Sequence, residues 1–160
     1  MLPTNRGFWK AFLLNLVTLG FYSWYLIYSY AKETNIACKN DGKKTTGLLL
    51  YLVFSFLTLN IYAIIWHCKW ISRCNTYLAV NNKPQGLQVS TYLIAYFLGP
   101  LTIFILNIIV FCKCLYLQNA VNATYNDLLK EKKENNTNKK GNTDNDDTIT
   151  IIEEETVETF

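Results

Sequence analysis

Apolar residues dominate three stretches of the chain, residues 11–31, 47–66 and 92–112, and none of them holds an Asp, Glu, Lys or Arg. About 20 apolar residues cross the ~30 Å hydrocarbon core as a helix, so each stretch predicts one membrane span. Polar positions interrupt the runs in a repeating way. The first run carries Asn15, Thr18, Gly20 and Tyr22; at a constant spacing of 40 residues the second carries Ser55, Thr58, Asn60 and Tyr62. The apolar residues between them keep step, Leu14 with Phe54, Leu19 with Leu59 and Phe21 with Ile61, and beyond the runs Asn35 falls on Asn75. Near the middle of the third run stand Gly99, Pro100 and Thr102. A repeat at fixed period states an architecture in units.

Each unit holds apolar residues for one span, not the roughly 34–40 that a two-helix membrane hairpin needs. Two consecutive copies then enter the bilayer in opposite directions and form an inverted pair. The expected fold is all-α: an integral membrane three-helix bundle whose first two spans are an inverted repeat. Asn15, Thr18 and Tyr22 share one helical face, and Ser55, Thr58 and Tyr62 repeat it. Together with Gly20, Asn60, Gly99, Pro100 and Thr102 they predict a helix-packing layer at the midplane. Hydrogen bonds between spans would contribute ~0.6 kcal/mol on average there, and Gly20 would admit a close backbone crossing. Pro100 removes an amide donor and would bend span three.

The three-span domain is expected to occupy residues 1–122. Leu117, Val121, Tyr125 and Leu128 continue at helical spacing, which predicts an amphipathic helix over 113–134 that prolongs span three. From residue 135 to 160 the chain turns Asn-, Asp-, Lys- and Thr-rich and ends in acids; such a tail buries too little apolar surface to order itself. Phe8 and Trp9 beside Lys10, and the cluster Tyr22, Trp24, Tyr25, Tyr28 and Tyr30 before Lys32, mark interface anchors.

Composition sharpens the picture only in part. With 51% hydrophobic residues among 160, and no charged face on the runs, a soluble bundle is disfavoured. The first run is too long for a cleaved signal and is taken as a retained span. The lysines of loop one and of the C-terminal segment place both in the cytoplasm and the N-terminus outside. Five cysteines form no spaced framework; this topology puts Cys38, Cys112 and Cys114 on one side and Cys68 and Cys74 on the other, and any disulfide is expected between Cys68 and Cys74. His67, Cys68 and Cys74 make an incomplete zinc set. No catalytic triad, carboxylate pair or phosphate loop is present, which predicts no enzymatic activity, no metal or other cofactor, and no nucleic-acid partner.

The motif Thr-x-Gly-x-Tyr, with Trp four residues after the Tyr, resembles a bacterial membrane family, domain of unknown function 4234. The second copy keeps Thr58, Tyr62 and Trp66 with Asn60 for Gly; the first has Leu26 where Trp is expected and Trp24 two residues earlier. Gln118-Asn119-Ala-Val-Asn122 is similar to the polar segment that closes that domain, so the resemblance covers residues 6–122. It implies three spans and no known activity. The expected function is a structural, scaffolding or partner-interaction role in the cell membrane as a multi-pass protein, its partners the lipid bilayer and a second copy or another membrane protein. The alternative is a holin-like pore former or a small channel or carrier subunit.

Overall fold

A computed structural model describes residues 1–99, 102 and 105–141, with side chains to residue 136. Six α-helices form, with no strand among the described residues: α1 (Phe8–Val17), α2 (Phe21–Ala37), α3 (Leu48–Leu57), α4 (Ile61–Val80), α5 (Val89–Leu98) and α6 (Ile105–Gly141). The fold class is all-α, as the sequence predicts. The spans are not. Each expected rod, 11–31, 47–66 and 92–112, is broken near its middle: at 18–20, at 58–60, and between Leu98 and Ile105.

Each break reverses the chain. Arg6, just before α1, lies with its guanidinium carbon 5.7 Å from the ring centre of Tyr30 and donates to Glu33 on α2. Thr46, just before α3, meets Tyr62 and Trp66 on α4, and Tyr51 packs edge-on against Trp66 with ring centres 5.2 Å apart. Gly86, before α5, faces Leu117 on α6 so closely that a Cβ there would stand 3.4 Å from it. All three runs are therefore helical hairpins whose open ends carry both chain directions on one side.

The long arms pack together in register. Leu26, Trp66 and Val110 are buried at equivalent positions, as are Tyr30, Trp70 and Cys114. One turn further, Thr34, Cys74 and Gln118 are fully buried; Thr34 Oγ1 stands 3.8 Å from Cys74 Sγ and 3.2 Å from Gln118 Oε1. Tyr30 stacks on Trp70 at 4.8 Å with planes 6° apart. Equal register among α2, α4 and α6 means they run parallel, so the three tips lie at one end of the bundle. The expected inverted pair is thus corrected to a same-direction repeat with a third copy, spaced 44 residues after the second. The cause is that the polar notch turns the chain instead of marking a crossing.

The short arms fill the grooves between the long ones, and one residue type sets the closure. Asn35 on α2 exchanges hydrogen bonds with Thr45, in the lead to α3 (2.9 and 2.7 Å). Its equivalent Asn75 on α4 donates to the Leu87 carbonyl before α5 (2.7 Å). The third copy, Asn119 on α6, donates to the Arg6 carbonyl before α1 (3.1 Å). Each long arm clasps the lead-in of the next short arm, and the third returns to the first.

Two compact units divide the chain, Met1–Asp127 and Leu128–Phe160. The hairpins belong to the first. In the second, α6 continues to Gly141 and so includes the first residues of the expected tail; residues 142–160, and Pro100, lie outside the described residues.

Candidate functional site

At each tip a Thr governs the turn. Thr18 Oγ1 donates to the Leu14 carbonyl at the end of α1 (2.7 Å) and accepts from the Tyr22 amide at the start of α2 (3.0 Å). Thr58 does the same with Phe54 and Tyr62 (2.6 and 2.9 Å). One hydroxyl thus satisfies an acceptor of the outgoing helix and a donor of the returning one, groups that helix ends otherwise leave orphaned.

The backbone completes a Schellman closure. The Gly20 amide donates to the Asn15 carbonyl (2.8 Å) and the Leu19 amide to Leu16 (3.3 Å); Asn60 and Leu59 repeat this onto Ser55 (2.7 Å) and Phe56 (3.4 Å). Two successive left-handed residues are required, Leu19 (φ 50°) and Gly20 (φ 94°), then Leu59 (φ 50°) and Asn60 (φ 71°). Gly and Asn are the residues that most readily adopt this conformation, which explains why one replaces the other at the repeat position. In the third hairpin the Thr102 amide donates to Leu98 and its carbonyl accepts from Ile105, the pattern of Thr58 with Phe54 and Ile61. Gly99 is needed there for another reason: a Cβ would stand 2.5 Å from the Ala95 carbonyl oxygen and 2.6 Å from the Asn107 side chain.

Every backbone amide from Thr18 to Ser23, and from Thr58 to Ala63, has an acceptor within the hairpin. Around these closed turns large apolar side chains point outward. Leu19 and Leu59 are each 89% exposed and Phe56 is 88%; Val17, Leu57 and Phe97 are also exposed.

The expected packing layer is corrected accordingly. Asn15 accepts from Ser23 of its own hairpin (2.9 Å), Tyr62 bonds Thr46 of its own hairpin, and Thr18 and Thr58 act within their turns. Ser55 is buried inside the second hairpin, and Tyr22 is half-buried against the core. Thr18, Gly20, Thr58 and Asn60 thus close hairpin turns.

The polar groups that do join repeats lie at the opposite, open end. Glu33 is inside α2 and buried. It accepts from Arg6 Nη1 (2.7 Å), from Ser29 Oγ (2.6 Å) and from Asn122 Nδ2 (2.7 Å), and Arg6 Nη2 closes a second bond to it. Burial alone would raise its pKa, but the donors Arg6, Asn122 and Ser29 and the Arg6 charge outweigh it, and Glu33 is held below the usual carboxylate range. At the equivalent position of the next repeat stands Arg73, of opposite charge, also buried. It donates to Asp41 through Nε (2.6 Å) and Nη2 (2.9 Å), and to Asn35, Thr45, Cys38 and Lys43. Hydrogen bonding from Arg73 holds the Asp41 carboxyl low. The sequence hides both clusters, because Arg6 and Glu33 are 27 residues apart and Asp41 and Arg73 are 32 apart.

Cys68 and Cys74 are free thiols. Cys74 sits in the core against Thr34, where burial raises its pKa, and burial pushes Cys38 up to about 11. His67 Nδ1 is 2.8 Å from the Ala63 carbonyl. Among the described residues no three metal-ligating side chains come together.

Residues 6–76 match the family described as Domain of unknown function (DUF4234). The DUF4234 match opens on Arg6 and closes just after Asn75, so it contains both the Thr18 and Thr58 turns and the Asn35–Thr45 clasp, while Leu87, the partner of Asn75, lies outside it. The third hairpin, included in the resemblance read from the motifs, lies beyond it. No curated protein and no solved structure matches the chain.

Proposed function

We propose that this chain is a non-catalytic membrane module seated in one leaflet by three helical hairpins, with a polar base that serves as a scaffold or partner-interaction surface. The observation that carries this reading is the tip itself: a turn with no amide left unpaired, ringed by outward Leu, Phe and Val. Hydrocarbon demands that backbone groups be satisfied within the chain, with Ser/Thr hydroxyls filling gaps at broken helices. Water makes no such demand and penalises the exposed side chains.

Length supports one leaflet. The short arms α1, α3 and α5 have 10 residues each, which reach ~15 Å, half of the ~30 Å core. Burying a large apolar side chain contributes about 1.5–3 kcal/mol, so six or more at the tips anchor the module on the order of 10 kcal/mol. Trp9 and Tyr28, both exposed, fall near the open ends, where amphipathic rings favour the headgroup layer. Basic residues at the base, among them Lys10, Lys32, Lys39, Lys43 and Lys44, favour the cytoplasmic face.

The multi-pass reading rests on run length and on α6, whose residues Ile105–Asn136 are long and apolar enough to cross a membrane. The two readings separate cleanly. Thr4→Cys, Lys39→Cys and Lys83→Cys, each at an exposed position, are labelled in intact cells with an impermeant maleimide. One-leaflet seating expects all three to react from the same side; three spans put positions 39 and 83 on opposite sides. A pore former would in addition leak dye from vesicles, and the module would not.

A further inference from the structure

A groove of about 660 Å³ lies beside α4, against the segment 41–46 that leads into α3. Sites for small organic ligands are ~300–1,000 Å³. The lining changes character along the helix. Tyr62 and Ile65 stand toward the tip; Lys69, Ser72 and Thr76 follow toward the base, faced by Lys43 and Lys44. At 1.5 Å per residue the gradient extends over ~21 Å, along the axis on which the hairpin passes from apolar tip to polar base.

The walls are fixed in place. Tyr62 Oη donates to Thr46 Oγ1 (3.1 Å) and Trp66 Nε1 to the Thr46 carbonyl (2.9 Å). Arg73 also lines the groove, but its charge is matched by Asp41. Lys43, Lys44 and Lys69 have no carboxylate at ion-pair distance among the described residues. Asp41 is the one carboxylate in the lining, held by Arg73 and also near Lys43, so the basic end keeps an excess of positive charge. A slot with such an end and aromatic and aliphatic walls at the other is complementary to an anionic amphiphile. Lysine binds phosphate as a point charge, and basic pockets at the cytoplasmic side of membrane proteins favour anionic headgroups.

We propose that this groove binds the phosphate headgroup of an anionic lipid, held by Lys43, Lys44 and Lys69, with the upper part of an acyl chain along Tyr62 and Ile65. The site rests on the one-leaflet reading, which sets the lysines at headgroup level and Tyr62 below them.

The test uses the full-length protein and vesicles of phosphatidylcholine alone or with phosphatidylglycerol, read by flotation. Wild type is expected to bind both and to prefer the anionic vesicles about tenfold or more. Lys43→Gln/Lys44→Gln/Lys69→Gln should keep binding to neutral vesicles and lose most of the preference. Ser72→Trp fills the groove without changing charge; it should reduce the preference about as much, which separates the groove from a diffuse basic surface. An unchanged preference in Ser72→Trp overturns the proposal. Competition by millimolar glycerol phosphate as strong as that by the lipid would overturn the acyl-chain half, since a free phosphate ester would then suffice. Failure of wild type to float with neutral vesicles would sink the one-leaflet reading instead, and the two failures are therefore distinct.

Discussion

The tips and the base of the hairpin unit solve the same problem in opposite ways. At the base, polar groups meet between repeats and apolar ones are enclosed: Glu33 gathers Arg6 and Asn122, while Trp70, Ile71 and Leu78 are fully buried. At the tips, polar groups are spent within one hairpin and the apolar ones face outward. The base is organised as a soluble core; on the proposed one-leaflet reading, the tips are a surface for lipid. One chain carries both because each repeat passes through both environments twice.

The strongest way to break this contrast is at the tips. Leu19→Asp with Leu59→Asp places two carboxylates in the leaflet at about 2.5–3.5 kcal/mol each. Membrane retention measured by carbonate extraction should collapse, while the unfolding midpoint in detergent stays close to wild type. Retention that survives would show the tips to be outside lipid.

At the base the effect should be reversed. Glu33→Ala leaves Arg6 buried without its partner, a loss of about 3–5 kcal/mol for such pairs, seen as a large drop in detergent unfolding midpoint. Acid should reproduce part of it. The Glu33 carboxyl is held low in the folded chain, so its contribution is complete above the ordinary carboxylate pKa and fades as pH falls through the lowered value, below about pH 4. Glu33→Gln should flatten that acid limb; an unchanged limb would assign it elsewhere, Asp41 first.

Smaller changes sharpen the role of the turn. Thr18→Val removes two hydrogen bonds and should cost about 1–3 kcal/mol, read as unfolding of the first hairpin, and Thr58→Val should match it. Gly20→Leu should destabilise by about 1–2 kcal/mol and Gly47→Leu far less. Both glycines have open space where a Cβ would stand, and only Gly20 has positive φ. Asn60→Gly, by the same reasoning, should be tolerated. Equal effects at Gly20 and Gly47 would remove the left-handed turn as the explanation.

Much of this was legible and then misassigned. The repeat aligns Thr18 with Thr58 and Gly20 with Asn60, and these are the turn residues. The expectation of a crossing glycine treats size as what matters at position 20; the substitution by Asn, which is not small, points to backbone conformation. The pairing of Asn35 with Asn75 was visible, but their shared task requires knowing where Thr45, Leu87 and Arg6 return in space. Glu33 and Arg73 occupy one repeat position with opposite charges, so no pattern of like residues could have revealed the two ion pairs.

By itself the sequence determined the helices, the period and the amount of apolar surface, because local propensity and transfer free energy add residue by residue. Whether a 20-residue apolar run stands straight or folds back was decided only in three dimensions. Two left-handed residues reverse a chain at almost no change in hydropathy, and the reversal holds because each long arm clasps the next short one until the third closes on the first.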